Sequence, residues 1–485
     1  MEVLQRTANR GSISTGGYDI DNSLKLEYSN TEYLKRTVSS AGNTKIWCAS
    51  FWIKRSQLDP ASPTSYWQML SSMTSDGAGG YSGWPTRIGF FYSADQLWLD
   101  SRAGSGNKRL TSLAKLRDTS AFYHIVVMQD TTQATDTNRS KIYINGELLV
   151  PDTLDYDQYP AQNDDTAMNV ASSQICVGAQ GDGTRPWSGY IADVHFLDGQ
   201  SGKTASDFAE YDEDSGIWKP KAYTGAYGTN GFHLKFEDSS NMGLDSSGNG
   251  NNLTSNNITA ADQATDTPTN NFQTFLSDGS LFNSGTNNIT FSEGGTKFSK
   301  GSSTSWTTAY TNIAMTNGKW YMEFKNYSTG DNTFFGLTPV ARTTSSAAQN
   351  YYTGQASDGS IGYYMANGQI YWQGSSSGGV TSATGDIIGV AVDIDNNKAY
   401  WHKNGTYMNS ADPAAGSNGS TINDEPYFFA CSTYNGSTSG ETNTGGYSSF
   451  AISSAASDAD GYGTFEYAPP TSFFALCTKN LAEYG

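Results

Sequence analysis

Apolar and polar residues alternate along many short segments of the chain, a period of two that is typical of strands with one buried face. The alternation begins at residues 24–28 and returns at short intervals up to residue 199. Continuous apolar runs, such as residues 122–128, predict strands that are buried on both faces. Short strands separated by Gly, Ser, Asn and Asp favour a β-sandwich or jelly roll.

A second series of such segments starts near residue 274. Strands are predicted at 318–324, 334–337, 360–364, 385–395, 398–403 and 426–430, and a last strand at 473–478. Asn-Gly pairs at 145–146, 367–368 and 404–405 mark hairpin turns. Thr204 followed by early acidic residues predicts a helix over 204–210, the one convincing helix signal in the chain.

These patterns predict an all-β protein with two antiparallel β-sandwich (jelly-roll) domains, a short N-terminal arm and one short helix. We expect an arm at 1–23, a first sandwich at 24–230, a bridging strand and linker at 231–273, and a second sandwich at 274–485. The arm is polar and rich in Gly, Ser, Asn and Arg, so it is read either as a disordered tail or as a docking segment.

The charge of the chain argues against two classes of partner. With 29 basic and 47 acidic residues, the formal net charge is −18, which repels nucleic acid phosphates and anionic lipid. No apolar run approaches the roughly 18 residues that a membrane span needs. The first residues, Met1 to Arg6, lack the apolar core of a signal peptide. We therefore expect no nucleic acid partner, no membrane insertion and synthesis in a cytoplasm.

The four cysteines, Cys48, Cys176, Cys431 and Cys477, are far apart in the sequence and form no CxxC pair. This spacing indicates neither a zinc site nor a dense disulfide framework. Each cysteine lies among small or apolar residues, so buried free thiols in strands are predicted.

The first series resembles the laminin-G/concanavalin-A-like lectin family over about residues 24–199. The resemblance rests on Phe51-Trp52-Ile53-Lys54, on residues 123–127, on the 141–146 hairpin and on residues 189–194. Together with the arm, which has Leu4-Gln5-Arg6-Thr7 and then residues 17–24, the chain is similar to tail-associated proteins of bacteriophages. The resemblance implies a β-sandwich that binds a ligand at its loops.

The second series resembles the SPRY domain. The segments that carry this resemblance are 318–323, 335–337, 385–393, 401–405 and 426–430, which occur in the order of that family. The resemblance implies a second β-sandwich whose end loops bind protein or peptide partners.

Glycoside hydrolases share the lectin fold, so catalysis is an alternative to binding. Those enzymes carry Glu-x-Asp-x-Glu on one strand, which points the acids into one cleft. The nearest match here, residues 210–214, ends in Asp and runs into a turn, so we interpret it as a solvated acidic turn. The four histidines, His124, His195, His233 and His402, each lie in a separate predicted strand, where a structural role is favoured over a metal or general-base role. We expect no catalytic residues and no enzyme activity.

Calcium is an open alternative for two loop residues. Laminin-G-like domains often bind one calcium ion at a loop rim through Asp, and Asp238 and Asp245 are candidates by composition. The alternative, which we favour, is plain polar turns that use Asx chemistry. No other cofactor is predicted.

Loop aromatics are the candidate ligand-binding residues, since sugar rings stack on aromatic faces beside polar groups that bind the hydroxyls. The candidates are Tyr81 and Trp84, in a Gly-rich segment that does not look like a strand interior, and Tyr351, Tyr352 and Tyr434 of the second domain. For each of them, packing against its own domain is an equal alternative. Trp187 is assigned to core packing.

The leading hypothesis is a bacteriophage virion protein, a tail fibre or tail tip that binds host-surface glycan or protein through loops of both sandwiches. The arm would dock to other virion proteins, and a homotrimer is a hypothesis by analogy alone. The alternative is a capsid decoration or tail connector protein that binds other virion proteins. A glycan hydrolase is the least favoured. The predicted location is the virion, in the tail or another surface appendage.

Overall fold

A computed structural model describes most of the chain as two compact units, which meet in sequence between Thr269 and Asn270. The described residues are 17–58, 66–75, 81–91, 95–101, 108–213, 215–275, 289–300, 306–325, 332–344, 352–355, 359–434 and 439–485. Nearly all regular structure in them is β-strand, as predicted. No helix in these ranges is long and apolar enough to cross a membrane.

The first domain contains eighteen strands within the described residues. Their bounds are β1 Ser23–Leu26, β2 Tyr33–Thr37, β3 Ile46–Arg55, β4 Tyr66–Ser75, β5 Tyr81–Phe91, β6 Gln96–Ser101, β7 Arg109–Lys115, β8 Tyr123–Asp130, β9 Ser140–Ile144, β10 Glu147–Leu148, β11 Leu154–Asp157, β12 Gln174–Val177, β13 Gly189–Asp198, β14 Ala209–Tyr211, β15 Trp218–Pro220, β16 Phe232–Leu234, β17 Thr254–Asn256 and β18 Gln263–Ala264. Single 3₁₀ turns occur at Tyr28–Asn30, Asp136–Asn138, Pro151–Thr153, Ala205–Asp207 and Ala260–Asp262.

Two large antiparallel sheets form this domain. One has the order β10-β9-β8-β3-β13-β1-β18, with β16 also paired to β13, and the other has the order β11-β7-β6-β5-β4-β12-β2-β17. Inward residues of both sheets share one hydrophobic core, in which Trp47, Trp67 and Trp187 are fully buried. The assignment of Trp187 to packing is therefore confirmed.

Residues beyond 230 belong to this first domain and not to a linker. Strand β16 pairs with β13, and β18 pairs with β1. Few apolar residues lie in this polar segment, but five of them are buried in the core: Phe232, Leu234, Phe236, Met242 and Leu253. The sequence predicted a bridging strand here, and Phe232, Leu234 and Phe236 alternate as a strand requires, but no local pattern shows that this strand pairs with β13.

The helix predicted over 204–210 is reduced to the 3₁₀ turn Ala205–Asp207. Thr204 caps it as expected, since its N–H donates to Asp207 Oδ2 at 2.8 Å. The chain then enters strand β14, which pairs with β15. This pairing provides hydrogen bonds for the backbone N–H and C=O groups of residues 209–211, which a second helical turn would otherwise have bonded.

The second domain contains fifteen strands within the described residues. Their bounds are β19 Ile289–Ser292, β20 Lys297–Lys300, β21 Thr307–Tyr310, β22 Lys319–Lys325, β23 Thr333–Pro339, β24 Ile361–Tyr364, β25 Gln369–Trp372, β26 Ser375–Ser377, β27 Ile387–Asp393, β28 Lys398–Lys403, β29 Thr406–Tyr407, β30 Ser420–Thr421, β31 Tyr427–Thr433, β32 Ser439–Asn443 and β33 Phe474–Ala475. Further 3₁₀ segments are Glu293–Gly295, Val340–Thr344 and Met408–Ser410, and the α-helix is α1, Thr478–Tyr484.

These strands also form two sheets around a core. The larger has the order β19-β20-β32-β22-β27-β28-β29, with β30 on β28 and β33 on β22. The smaller has the order β21-β31-β23-β24-β25-β26. The sequence missed α1, a seven-residue helix whose Leu481 is buried in the core. All four cysteines of the chain are buried and unpaired, as predicted.

Candidate binding site

Six aromatic side chains gather on the outer face of the smaller sheet of the second domain. We name this group the aromatic cluster; its members are Trp306, Phe334, Tyr352, Tyr364, Tyr371 and Tyr434. Phe334 is buried, and the other five are half-buried. The cluster lies opposite the core, so packing between the two sheets does not explain it.

Strand alternation places three members of the cluster. Phe335, Tyr363 and Ile370 point into the core, so the adjacent residues Phe334, Tyr364 and Tyr371 point outward. Phe334 stands directly opposite Tyr364 in the β23–β24 register. Their rings stack with centroids 4.4 Å apart.

Tyr352 joins the cluster because residues 352–355 lie across the outer face of the sheet. Thr353 anchors the segment, since its backbone N–H donates to Ser432 Oγ at 2.9 Å and its hydroxyl lies 2.6 Å from the same atom. Gly362 leaves room for it, because a Cβ at that position would come within 3.1 Å of the Thr353 carbonyl. Gly354 N–H also donates to Ser360 Oγ at 2.6 Å.

Tyr434 is positioned by the end of strand β31. Its backbone N–H donates to Asn332 O at 3.0 Å. Lys300 Nζ donates to the carbonyls of Thr433 and Tyr434 at 3.1 and 3.0 Å. Burial lowers the pKa of Lys300 to about 8, so the ammonium form still predominates at neutral pH.

Trp306 lies at the centre of the cluster. Its ring centroid is 4.9 Å from that of Tyr352 and 5.3 Å from those of Phe334 and Tyr434. Tyr371 meets Phe334 edge to face at 5.4 Å. Offset and edge-to-face contacts at these distances stabilise aromatic groups beyond the area that they bury.

Amide groups border the rings. Tyr364 OH donates to Asn332 Oδ1, and Asn367 Nδ2 donates to Tyr371 OH at 3.0 Å. Burial raises the pKa of Tyr364, so its hydroxyl stays protonated at neutral pH. The cluster therefore offers aromatic faces together with hydroxyl and amide groups that hold fixed orientations.

Two of the five predicted aromatic residues, Tyr352 and Tyr434, are brought together here. Tyr351 lies outside the described residues.

The expectation of a loop at Tyr81 and Trp84 was wrong, because both fall in strand β5. Between Ser72↔Thr86 and Thr74↔Ser82, three residues of β5 oppose one of β4. This bulge takes up Gly83, Trp84 and Pro85 within the strand pairing. The side chains of residues 81–84 are outside the described set.

Four members of the cluster were not predicted from the sequence: Trp306, Phe334, Tyr364 and Tyr371. A signal was present for three of them, since Phe334-Phe335, Tyr363-Tyr364 and Tyr371-Trp372 are adjacent aromatic pairs in predicted strands. One residue of each such pair must face away from the core. Trp306 gave no comparable signal, because it precedes its strand in a Ser- and Thr-rich segment.

The two calcium candidates both have turn geometry. Asp238 Oδ1 accepts hydrogen bonds from the N–H and hydroxyl of Ser240. Asp245 accepts three backbone N–H groups, from His233, Ser247 and Asn251, at 2.8–2.9 Å. The bonds from Ser240 and Ser247, each two residues further along the chain, are the Asx chemistry of the favoured alternative. Neither residue belongs to a group of three potential metal ligands within the described part of the chain.

A buried Ser–His pair in the first domain has the spacing of a nucleophile and its base. Ser50 Oγ lies 2.8 Å from His124 Nε2. However, Trp218 Nε1, which can only donate, bonds His124 Nδ1 at 3.0 Å. Neutral His124 must therefore carry its proton on Nε2 and donate to Ser50, so it cannot accept the serine proton. Burial lowers the pKa of His124 to about 3.

The acidic segment compared with hydrolase motifs begins in β14, which contains Glu210, and continues into the turn between β14 and β15. Glu210 and Glu213 are exposed. Asp212 accepts hydrogen bonds from the Ser215 N–H and hydroxyl and pairs with Lys219 at 3.0 Å. The last acid of the segment, Asp214, lies outside the described residues. Asp212 and Glu213 form a solvated turn, as interpreted from the sequence.

Comparison with known proteins indicates the fold of the first domain. Residues 29–201 match the Laminin_G_3 family model, described as Concanavalin A-like lectin/glucanases superfamily. No curated protein matches the chain in sequence.

Three solved structures illustrate the structural likeness. The SPRY domain of human HERC1 shares 18% identity over 30% of this chain and 85% of its own, with a TM-score of 0.23. A human SPRY domain shares 17% identity over 30% of this chain and 91% of its own, with a TM-score of 0.23. A heptameric SAP-like pentraxin from Limulus polyphemus shares 15% identity over 37% of this chain and 77% of its own, with a TM-score of 0.27. The family match therefore indicates a concanavalin A-like lectin fold for residues 29–201.

Proposed function

We propose that this protein binds a glycan at the aromatic cluster and does not transform it. The observation that carries the proposal is the gathering of six rings on a sheet face that the core does not use. Aromatic faces bind the apolar CH groups of sugar rings, and neighbouring polar groups bind the hydroxyls.

The polar groups around the cluster support a glycan over an apolar peptide. Asn332 and Asn367 hold the hydroxyls of Tyr364 and Tyr371 in fixed orientations. Each such hydroxyl has acceptor capacity left for a ligand. A preorganised polar group binds with little loss of conformational entropy.

We further propose that the protein is a virion appendage, a tail fibre or tail tip of a bacteriophage. The support is the sequence similarity of residues 1–24 and of the first domain to phage tail-associated proteins. The N-terminal arm would attach to other virion proteins, and several copies would bind a host surface together. Multivalent attachment converts weak individual sites into strong adhesion.

The glycan proposal is tested with the variant Trp306→Ala. Glycan-array screening of the full chain should identify a ligand, and titration calorimetry should then show at least about tenfold weaker binding by the variant, equivalent to ~1.4 kcal/mol. Tyr156→Ala is the control, because Tyr156 is 43% exposed on the first domain, outside the cluster. Equal affinity of both variants and the parent protein would overturn the assignment of the site, as would binding of proteins but of no glycan.

The appendage proposal has separate tests. Purified protein should compete with phage for adsorption to host cells. Side-chain-resolution imaging that finds these sandwiches buried between other virion subunits would instead favour a decoration or connector protein. Release of reducing sugar from a bound glycan would contradict the proposal that the protein only binds.

A further inference from the structure

A second cluster of functional groups lies in the first domain, on the outer face of strand β13. Asp193 and His195 flank Val194, which points into the core. A β-bulge between Ala192 and His195 interrupts the pairing with β3, and Asp193 has a φ of +49° there. The bulge turns the Asp193 carboxylate towards the face that carries His195.

Strand β16 brings a second imidazole to the same place. His195 and His233 are direct partners in the β13–β16 register. Their rings stack with centroids 4.0 Å apart. In the sequence the two histidines belong to separate strands, and only the pairing of β16 with β13 makes them neighbours.

The three side chains converge on one point. His233 Nε2 is 2.6 Å from Asp193 Oδ1, and His195 Nε2 is 3.1 Å from Asp193 Oδ2. The three candidate ligand atoms lie within 4.8 Å of one another. Relative exposure is 2% for Asp193, 1% for His195 and 7% for His233.

One atom of this group is poorly satisfied. His195 Nε2 is buried and makes no hydrogen bond, because its 3.1 Å approach to Asp193 has the wrong angle. An unsatisfied buried polar atom destabilises the folded state. A cation between the imidazole nitrogens and the carboxylate would remove this destabilisation.

The outer contacts match those that surround metal-binding histidines. Tyr227 OH lies 2.8 Å from His195 Nδ1. If Nδ1–H donates to this oxygen, the lone pair of Nε2 is free to bind a metal, which is the usual arrangement at metal-binding histidines. Phe208 and Tyr223 pack against His195 and limit access of water. Tyr18 OH donates to Asp193 Oδ1 at 2.9 Å from the more exposed side.

We propose that Asp193, His195 and His233 form a binding site for a divalent transition-metal ion, with Zn²⁺ the best match. Imidazole and carboxylate are zinc ligands, whereas Ca²⁺ and Mg²⁺ prefer sites made of oxygen alone. Zinc bonds of about 2.0–2.2 Å in tetrahedral geometry separate ligand atoms by roughly 3.3 Å. To reach this geometry the Asp193–His233 contact must open, and the stacked imidazole rings must tilt so that both nitrogens face one ion.

A bound ion would link strand β13, strand β16 and the segment that contains Tyr18. It would join strand β13 to strand β16 and would hold the carboxylate that Tyr18 contacts. The site lies in a different domain from the aromatic cluster, so the proposal is independent of the glycan proposal.

The test is a Co²⁺ titration of the EDTA-treated full chain, followed by visible absorption. We expect saturation at one Co²⁺ per chain, displacement by Zn²⁺ and a raised unfolding temperature with Zn²⁺ but not with Ca²⁺. Tyr227→Phe should weaken binding roughly 10- to 100-fold, as loss of an outer partner does. His233→Gln should weaken it further.

His402→Gln is the matched control, because it removes an equally buried histidine of the second domain. Circular dichroism of each variant confirms that it is folded before titration. Absence of saturable Co²⁺ binding by the folded parent chain would overturn the proposal. So would equal Co²⁺ affinities of the folded His402→Gln and Tyr227→Phe variants.

Discussion

Glu323 is a carboxylic acid that the second domain buries completely. It accepts hydrogen bonds from Tyr321 OH, from Asn443 Nδ2 and from the backbone N–H groups of Glu466 and Tyr467 at 2.7–3.0 Å. His402 Nε2 lies 2.6 Å from the same tyrosine hydroxyl. Burial nevertheless raises the pKa of Glu323 to about 7, because four hydrogen bonds only partly replace its hydration.

This pKa predicts a pH dependence of stability. The folded pKa of about 7 exceeds the unfolded value of 4.5, so the folded state binds more protons between these values. Stability from this group is therefore fully present below about pH 4.5 and is lost as pH rises through 7. At about 1.4 kcal/mol per pKa unit, the expected loss is on the order of 3 kcal/mol.

Urea unfolding of the parent chain and Glu323→Gln between pH 4.5 and 8 measures this effect. The difference between the two free energies of unfolding should change with pH, because the variant has no proton to lose at this position. The difference cancels the contributions of titrating groups that lie far from Glu323. Parallel curves would contradict the prediction.

Among the structural elements, the segment 352–355 best illustrates how the aromatic cluster is built. Its position depends on the small size of Gly362, above which Thr353 lies, and on the Ser432 hydroxyl. The sequence predicts the strands on either side of this segment from their alternation. It does not predict the segment's path, because the anchoring contact between Thr353 and Ser432 joins residues 79 positions apart and leaves no local pattern.

The variant Gly362→Val should therefore disturb the cluster without changing any of its rings. Its Cβ would lie 3.1–3.2 Å from Thr353 atoms, and its two methyl groups would lie closer still, so the segment carrying Tyr352 must move. We expect at least about tenfold weaker glycan binding, or ~1.4 kcal/mol, and altered fluorescence of Trp306.

Gly385→Val is the control for this variant. Gly385 has a φ of +93°, and nothing lies within 4 Å of a Cβ built there. The control should lose stability through backbone strain but keep its glycan affinity. If both variants lost affinity in proportion to stability, the effect of Gly362→Val would be general destabilisation and not displacement of Tyr352.

At the scale of the whole molecule, the sequence predicted two β-sandwiches but misplaced the end of the first. Alternation and hairpin turns indicate strands directly, so most central strands were found. A bridging strand was predicted at the position of β16, but its pairing with β13, like the pairing of the two-residue β18 with β1, joins distant parts of the chain and leaves no local pattern. The His195–His233 neighbourhood was missed for the same reason.

Fragments of the chain test the boundary at Thr269. Residues 17–269 and 270–485 should each unfold cooperatively, because each contains a complete core. A fragment of residues 17–230 lacks β16, β17 and β18 and five buried apolar side chains. It should show a lower unfolding temperature or no cooperative transition by calorimetry. Equal stability of fragments 17–230 and 17–269 would place the boundary at residue 230.

The pairing of β1 with β18 brings the two ends of the first domain side by side. Ser23 is opposite Ala264, and Thr269 Oγ1 both accepts from Ile20 N–H and donates to Ile20 O. Because β1 and β18 are antiparallel, a force that pulls the two ends apart acts on these contacts in turn, one residue pair after another. The short strand β18 would therefore separate before the load reaches the longer central pairings. Under mechanical stress the first domain would therefore lengthen by detachment of β18, while its core stays folded.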